Sequence, residues 1–118
     1  EVDVARAAIA AIKADGWEIY QEVPYHGRTC DIVAVRDGNI WAIEAKRALN
    51  LKVVDQAMNH RLYAHYIGVC VPRPARDPTF ALDVMAHYGI GVVMVDGPET
   101  VATVIQPEFA DNPMNALR

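Results

Sequence analysis

Two acidic residues and a lysine stand at the ends of two apolar runs. Asp31 opens the run DIVAVR, and Glu44 and Lys46 close the run NIWAIEAK. A strand inside a core avoids charge unless the charge is paired or functional. Carboxylates beside an amine can hold a divalent cation and assist the attack of water on a phosphate ester. These residue types therefore indicate metal-dependent hydrolysis as the candidate chemistry.

The spacing predicts that the three side chains meet. The Asp37-Gly38 pair between the runs is a strong signal for a two-residue hairpin turn. With that turn, Asp31 lies opposite Glu44 in a non-hydrogen-bonded pair, with Cβ atoms about 4.5–5.5 Å apart. A four-residue loop preserves this pairing, whereas a three-residue loop breaks it. Lys46 lies on the same side as Glu44, because side chains two apart on a strand share a face.

Two facing carboxylates require a positive charge. Like charges opposite one another destabilise a sheet, and burial increases the cost. Mg²⁺ satisfies this requirement, because it is held by one or two carboxylates together with waters and substrate phosphate. The structural alternative is an ion triad of Asp31, Glu44 and Lys46 that only closes a strand end.

Two further acids are candidates for the same site. If His26-Gly27 is also a two-residue turn, Glu22 faces Asp31 from the preceding strand. Glu1 shares a helical stripe with Ala5, at a spacing of four residues, and so extends from the apolar face of the first helix. The alternatives are an exposed strand acid for Glu22 and a frayed chain start for Glu1.

The elements that must position these residues follow the order αβββαβ and then αββ. Apolar spacing and turn signals predict three helices, with Leu51, Val54, Met58, Leu62 and His65 marking one face of the second. The third helix opens at the Asp77-Pro78 cap and ends at Gly89. The predicted helices are 2–14, 51–65 and 77–89, and the predicted strands are 17–23, 29–35, 40–45, 66–71, 90–95 and 101–105.

Composition and length predict one domain. The chain has 118 residues, of which 53% are hydrophobic, enough for one sizeable core. We expect the domain to cover residues 1–105 and residues 106–118 to form a tail. No apolar run is long enough to span a membrane and no secretory signal is evident, so we expect a cytoplasmic protein. Cys30 and Cys70 lack metal-site spacing and are predicted to be buried free thiols.

The residues resemble the PD-(D/E)XK nuclease superfamily, especially its Holliday-junction-resolvase-like and phage or repair nuclease branches. The resemblance rests on Asp31, the Glu44-Ala45-Lys46 triplet that follows after twelve intervening residues, the hairpin after an N-terminal helix, and a following helix that carries Gln56. It covers residues 1–71. Cys30 replaces the usual proline before the first acid, and His60 stands where a RecB-like subtype has tyrosine.

The resemblance implies a restriction-endonuclease-like fold, with a three-layer αβββαβ core, a mixed central sheet and a C-terminal αββ extension. It also implies a Mg²⁺-dependent DNA endonuclease in which Mn²⁺ substitutes. Asp31 and Glu44 are the expected metal ligands, with the Ala45 carbonyl beside them and Glu1 acting through water. Lys46 is expected to assist the attacking water. The remaining expected catalytic residues are Gln56 and Glu22.

Basic residues are the expected contacts to nucleic acid, as phosphate partners. They are Arg28, Arg47, Lys52, His60 and Arg61, with Arg73 and Arg76 as further candidates. A net charge of −4 argues against bulk attraction to DNA. We therefore expect DNA affinity to come from a homodimer, a partner or another domain. The rival functions are a catalytically inactive nuclease-fold module for nucleic-acid binding or assembly, and a purely structural interaction protein.

Overall fold

The computed structural model describes residues 3–25 and 27–110. Its helices are α1 (Val4–Ala14), α2 (Leu51–Met58) and α3 (Thr79–His87). Its strands are β1 (Glu18–Tyr25), β2 (Arg28–Arg36), β3 (Asn39–Ala45), β4 (Tyr66–Pro72), β5 (Ile90–Val95) and β6 (Val101–Ile105). A 3₁₀ turn, Asn59–Leu62, continues directly from α2.

The six strands form one mixed sheet in sequence order, from β1 to β6. The first three strands are antiparallel, β3, β4 and β5 run parallel, and β6 is antiparallel to β5. One apolar cluster joins a sheet face to α1, and a second cluster joins the other face to α2 and α3. The predicted α/β architecture with a mixed central sheet between helical layers is therefore confirmed.

Both predicted hairpin registers are confirmed. Arg36 pairs with Asn39, and the β2–β3 ladder runs from there to the pair of Ile32 with Ile43. On the other side of β2, Tyr25 pairs with Arg28. Local turn chemistry sets the β2–β3 register. Asp37 adopts a positive φ of 53°, and a two-residue turn of this kind needs such a backbone angle.

The β1–β2 ladder is interrupted at Glu22 and Asp31. The pairs on either side, Gln21 with Ile32 and Val23 with Cys30, are both present. Glu22 has φ +49°, in the left-handed region, which turns the strand locally. As a result Cys30 belongs to the α2-side cluster although Ile32, two residues on, belongs to the α1-side cluster.

The predicted apolar face of the second helix is only partly right, because Val54 and Met58 pack against the core while other residues form its buried centre. Its buried residues are Val53 and Ala57, followed by His60 and Ala64 beyond the helix. Leu51, in contrast, is 70% exposed. The small Val and Ala side chains let α2 lie close to the sheet, and the side chain of His60 turns inward to meet a buried acid, as described below.

The second helix is also shorter than predicted. It ends at Met58, and His65 lies in the loop before β4. There His65 accepts a hydrogen bond from the Ile40 N–H through Nδ1, at 3.0 Å. His65 therefore fixes the start of β3 and has no place on a helix face.

Residues after β6 pack on the sheet, beyond the domain boundary that we expected at residue 105. Pro107 fills the space over Gly91, where a Cβ atom would come within 2.8 Å of the proline ring. The Glu108 N–H donates to the Gly89 carbonyl, and the ring of Phe109 stacks on His65. The packed unit thus extends at least to Ala110.

Both cysteines are buried free thiols, as predicted. Burial is the largest of the effects that raise the pKa of Cys70, to about 12, so its thiol is protonated at neutral pH. No helix in the described part of the chain is long and apolar enough to cross a membrane.

Candidate active site

Asp31 and Glu44 meet where β2 and β3 separate. The β2–β3 ladder stops one residue short of them, at Ile32 and Ile43. Asp31 Oδ2 accepts a hydrogen bond of 2.9 Å from the Ala45 N–H, and the carboxyl groups of Asp31 and Glu44 lie close enough for each to shift the pKa of the other. The predicted meeting of the two carboxyl groups is therefore present in the structure.

The two carboxyl groups have pKa values displaced in opposite directions. Burial, followed by the hydrogen bond to Glu44, raises the pKa of Asp31, and the Ala45 N–H only partly opposes the rise. Burial acts upward on Glu44 too, but its hydrogen bonds to His60 and Asp31 prevail and lower its pKa. Of the two acids, Glu44 is therefore the one that gives up its proton more readily.

Lys46 lies close enough to influence both acids. Its positive charge lowers the pKa of Asp31 and of Glu44. The backbone N–H of Lys46 donates to the Cys70 carbonyl at 2.9 Å, and this bond anchors the chain just after β3 ends. Lys46 is half-buried, so its ammonium group retains access to solvent.

A cleft of about 580 Å³ opens beside Lys46, at the carboxyl ends of β3 and β4. The first turn of α1 forms one wall, and the segment from Ala45 to Arg47 forms another. In sheets with parallel strands, ligands bind outside the carboxyl ends of the strands. Of the candidate site, Ala45 and Lys46 line this cleft.

His60 is the residue of this site that the sequence prediction misplaced. We expected His60 to contact nucleic acid, but its side chain is 5% exposed and its Nε2 lies 2.7 Å from Glu44 Oε1. Burial alone lowers the pKa of His60, whereas its contacts with Cys30 and Glu44 raise it, to about 9. His60 is therefore a charged donor to Glu44 at neutral pH.

Tyr63 extends this chain of contacts. Its hydroxyl lies 3.0 Å from His60 Nδ1, and its ring packs against Tyr25 at a centroid distance of 4.2 Å. With both ring nitrogens of His60 engaged, the imidazole is fixed in orientation. Glu44, His60 and Tyr63 thus form one hydrogen-bonded chain from β3 to the segment after α2, and the Asp31 carboxyl group lies beside its Glu44 end.

Asp3 is a further acid near the site that the sequence pattern did not single out. It is the N-cap of α1, where its Oδ1 accepts from the Arg6 N–H at 3.0 Å, and it lines the cleft. After burial, the charges of Asp31, Glu44 and Asp3 are what raise the pKa of Cys70. The negative charges of three carboxyl groups therefore reach the same buried thiol. An Asp directly before an apolar helical pattern is the signal that could have identified it.

Three other predicted site residues fare differently. Glu22 is exposed. It is not among the groups that shift the pKa of Asp31, which are Glu44, Ala45 and Lys46. The left-handed φ of Glu22 explains why it does not form the predicted facing pair with Asp31. Glu1 lies outside the described residues. Gln56 is half-buried on α2, one turn before His60, and its place beside a metal stays a prediction.

The predicted phosphate contacts divide into two groups. Arg61 has a structural role, because its guanidinium donates to the Tyr88 carbonyl at 3.0 Å and is partly buried beside the charge of Glu108. Arg73 lies 3.3 Å from Asp96. The other candidates are exposed, and their contact with nucleic acid stays a prediction: Arg28, Arg47, Lys52 and Arg76.

The donor set fits a hard divalent cation with few protein ligands. Among residues 3–25 and 27–110, no cluster of three or more His, Cys, Asp or Glu side chains is arranged to hold a metal. Mg²⁺ does not require one, since one or two carboxylates with waters and phosphate suffice. Burial and then the neighbouring Glu44 raise the pKa of Asp31, and a cation beside the two carboxylates would lower it.

Comparison with solved structures gives relatives of the fold. The protein of unknown function AF1548 matches with a TM-score of 0.61 and 18% identity over 80% of this chain, which spans 58% of that chain. An XisH family protein from Nostoc punctiforme matches at 0.53 and 20% identity over 79% of this chain and 90% of that one. A fdxN element excision controlling factor protein from Anabaena variabilis matches with a TM-score of 0.50 and 21% identity. The match covers 80% of this chain and 88% of that chain.

No family model matches this sequence, and no curated protein matches it. At these identities the structural neighbours show a shared fold and assign no residue a role.

Proposed function

We propose that this protein is a divalent-metal-dependent nuclease that hydrolyses DNA phosphodiester bonds. The observation that carries the proposal is the close approach of the Asp31 and Glu44 carboxyl groups, with Lys46 near enough to act on both. Two carboxylates and an amine at a strand end, next to an open cleft, are the groups that this chemistry needs. The name of one fold neighbour refers to control of element excision, which is consistent with a DNA substrate.

In this proposal Asp31, Glu44 and the Ala45 carbonyl hold Mg²⁺, or Mn²⁺ in its place. The bound ion would supply charge neutralisation at the scissile phosphate and lower the pKa of an attacking water. Glu1 is the further acid of the same proposal, acting through water.

Each protein group then has a defined task. His60 holds Glu44 Oε1 at 2.7 Å and so fixes the orientation of the carboxylate; the second oxygen of Glu44 remains for other ligands. The Ala45 N–H fixes Asp31 in the same way. Lys46 orients the attacking water and stabilises negative charge on the phosphate as it develops.

DNA would approach the cleft across a mostly acidic chain. Arg47 lines the cleft, and Arg28 lines a small cavity beside His60. Because the net charge is −4, these few contacts account for local positioning of a phosphate backbone, not for strong overall affinity. The proposal therefore assigns the remaining affinity to a dimer, a partner or another domain.

A cleavage assay tests the proposal. Wild-type protein is incubated with linear duplex, single-stranded and branched DNA in Mg²⁺, Mn²⁺ or chelator, beside Asp31→Asn and Lys46→Met variants. A Glu22→Gln variant is the matched control, since it removes an exposed acid from the neighbouring strand. We expect metal-dependent cleavage by wild type and Glu22→Gln only. Cleavage that survives chelation or Asp31→Asn would overturn the proposed mechanism.

Complete absence of cleavage together with metal-independent DNA binding would favour the inactive nuclease-fold module. The same hydrogen bonds around Asp31 and Glu44 would then serve only to lock the strand end.

A further inference from the structure

An apolar groove separates α2 from α3 on the sheet face opposite α1. Its volume is about 690 Å³, and α2 contributes Leu51, Val54 and Met58 while α3 contributes Val84. A second cavity of about 120 Å³ continues it along Leu51 and Val54 to Phe80. We call these two cavities together the α2–α3 groove.

The apolar walls of the α2–α3 groove are unusually exposed. Phe80 is 77% exposed and Leu51 is 70% exposed, and Tyr88 at the far end is 45% exposed. Single apolar side chains on a surface need no explanation, but a contiguous patch of large ones marks an interaction site. The groove is therefore a candidate binding surface.

The spacing of the wall residues identifies the shape of the occupant. Leu51, Val54 and Met58 recur at i, i+3 and i+7, the pattern of a helix seam. Val53 and Ala57 bury the sheet-facing side of α2, while Val54 and Met58 pack against the core with part of their surface and leave the rest, together with Leu51, open to the groove. Two helix walls with exposed seams accommodate a third helix between them.

The charges at the groove select among occupants. Asp55 on α2 and Asp83 on α3 are exposed and line it, and the described lining contains no Lys or Arg. Acids beside an apolar floor repel DNA. The groove lining also offers a second copy of this chain no Lys or Arg with which to pair these acids. Basic residues flanking an apolar seam complement them.

We propose that the α2–α3 groove is the docking site of an amphipathic helix with basic flanks, carried by a partner protein. The partner helix lays its apolar face on Leu51, Met58 and Phe80, and its Lys or Arg residues lie against Asp55 and Asp83. This interaction is independent of the proposed nuclease site, because the groove residues include neither Asp31 nor any member of the hydrogen-bonded chain of Glu44, His60 and Tyr63.

A synthetic helical peptide tests this site. The probe is an alanine-based peptide of about 18 residues, long enough to be helical in water, with leucines at i, i+3 and i+7 and lysines on both flanks. Binding is measured by fluorescence anisotropy against wild type and against a Leu51→Ser, Phe80→Ser double variant. The Val104→Ser variant, which changes an exposed residue of β6, is the control.

We expect saturable binding at micromolar peptide, at least tenfold weaker for the double variant and unchanged for Val104→Ser. A matched peptide with glutamates in place of lysines is expected to bind at least tenfold more weakly. Circular dichroism checks that the double variant is folded, as substitution of two mostly exposed residues allows.

Two results would overturn the proposal. One is absence of saturable binding, or equal binding of the lysine and glutamate peptides. The other is a wild-type dimer in analytical ultracentrifugation that the double variant abolishes, because the groove would then belong to a second copy of this chain.

Discussion

Glu44 Oε1 lies 2.7 Å from His60 Nε2, in the interior between β3 and the segment that follows α2. Both side chains are nearly excluded from solvent. A buried carboxylate is costly unless it is paired, and breaking such a pair leaves an uncompensated charge. The contact therefore links the stability of the domain to the geometry of its candidate active site.

Removal of the imidazole should destabilise the domain strongly. His60→Ala leaves Glu44 buried without its donor, and we expect a loss of about 3–5 kcal/mol in the free energy of unfolding. His60→Gln retains an N–H donor and should lose clearly less. Urea unfolding of both variants measures the difference. Equal losses for His60→Ala and His60→Gln would show that the ring packs in the core without supporting Glu44.

The raised pKa of His60 predicts that the free energy of unfolding depends on pH at the alkaline end. The pKa of His60 is about 9 in the folded state, raised from 6.5. A raised pKa contributes stability that is complete below about pH 6.5 and is lost as pH rises through about 9. The loss is at most about 3 kcal/mol. Unfolding free energies across this range should fall for wild type more than for His60→Gln; parallel profiles would refute the assignment.

Asp31→Asn should stabilise the protein when metal is absent. The pKa of Asp31 is raised by burial and by Glu44, so its ionisation costs more free energy in the folded chain than in the unfolded chain. An amide can still donate to Glu44 and accept from the Ala45 N–H. We expect a gain of about 0.5–2 kcal/mol at pH 7 in chelator, by thermal unfolding.

The Glu22→Gln variant is the control for that gain, since Glu22 is exposed and its substitution should change stability by less than about 0.5 kcal/mol. Destabilisation by Asp31→Asn would mean that the ionised carboxylate has a structural role, as in a closed ion triad.

Lys46→Met should separate metal binding from turnover. Lys46 acts on the acids only through its charge, so the ligand set survives its removal. We expect the cleavage rate to fall about 10²–10⁴-fold, the usual range for loss of an acid–base group, while Mn²⁺ still binds. Single-turnover kinetics at saturating Mn²⁺ measure the rate. An unchanged rate would exclude Lys46 from the reaction.

The predictable part of this site comes from local chemistry. Asp37-Gly38 fixes one hairpin, and that register alone brings Asp31 and Glu44 together across a two-residue turn. The strand bounds of β5 and β6 also follow from the sequence, because apolar runs there are bounded by Gly and polar turns. In each case the signal lies within a few residues of the feature.

The parts that could not be predicted depend on distant contacts. His60 carries an ionisable ring on a polar helix face, a pattern typical of a solvated residue, and only the approach of Glu44 from β3 turns it inward. Leu51 is more hydrophobic than Ala57, yet the sheet selects the smaller residue for close packing. Similarly, the left-handed φ of Glu22 could not be predicted, because glycine and asparagine are the residues that usually indicate this conformation.

Direct observation of the bound ion tests the central claim most closely. Mn²⁺ is titrated into the protein and free ion is followed by electron paramagnetic resonance, for wild type and for the Asp31→Asn, Glu44→Gln and Glu22→Gln variants. The structure predicts saturable binding that Asp31→Asn and Glu44→Gln each weaken at least tenfold, and that Glu22→Gln leaves unchanged. Absence of binding by wild type, or binding that both acid variants retain, would contradict a metal site at Asp31 and Glu44.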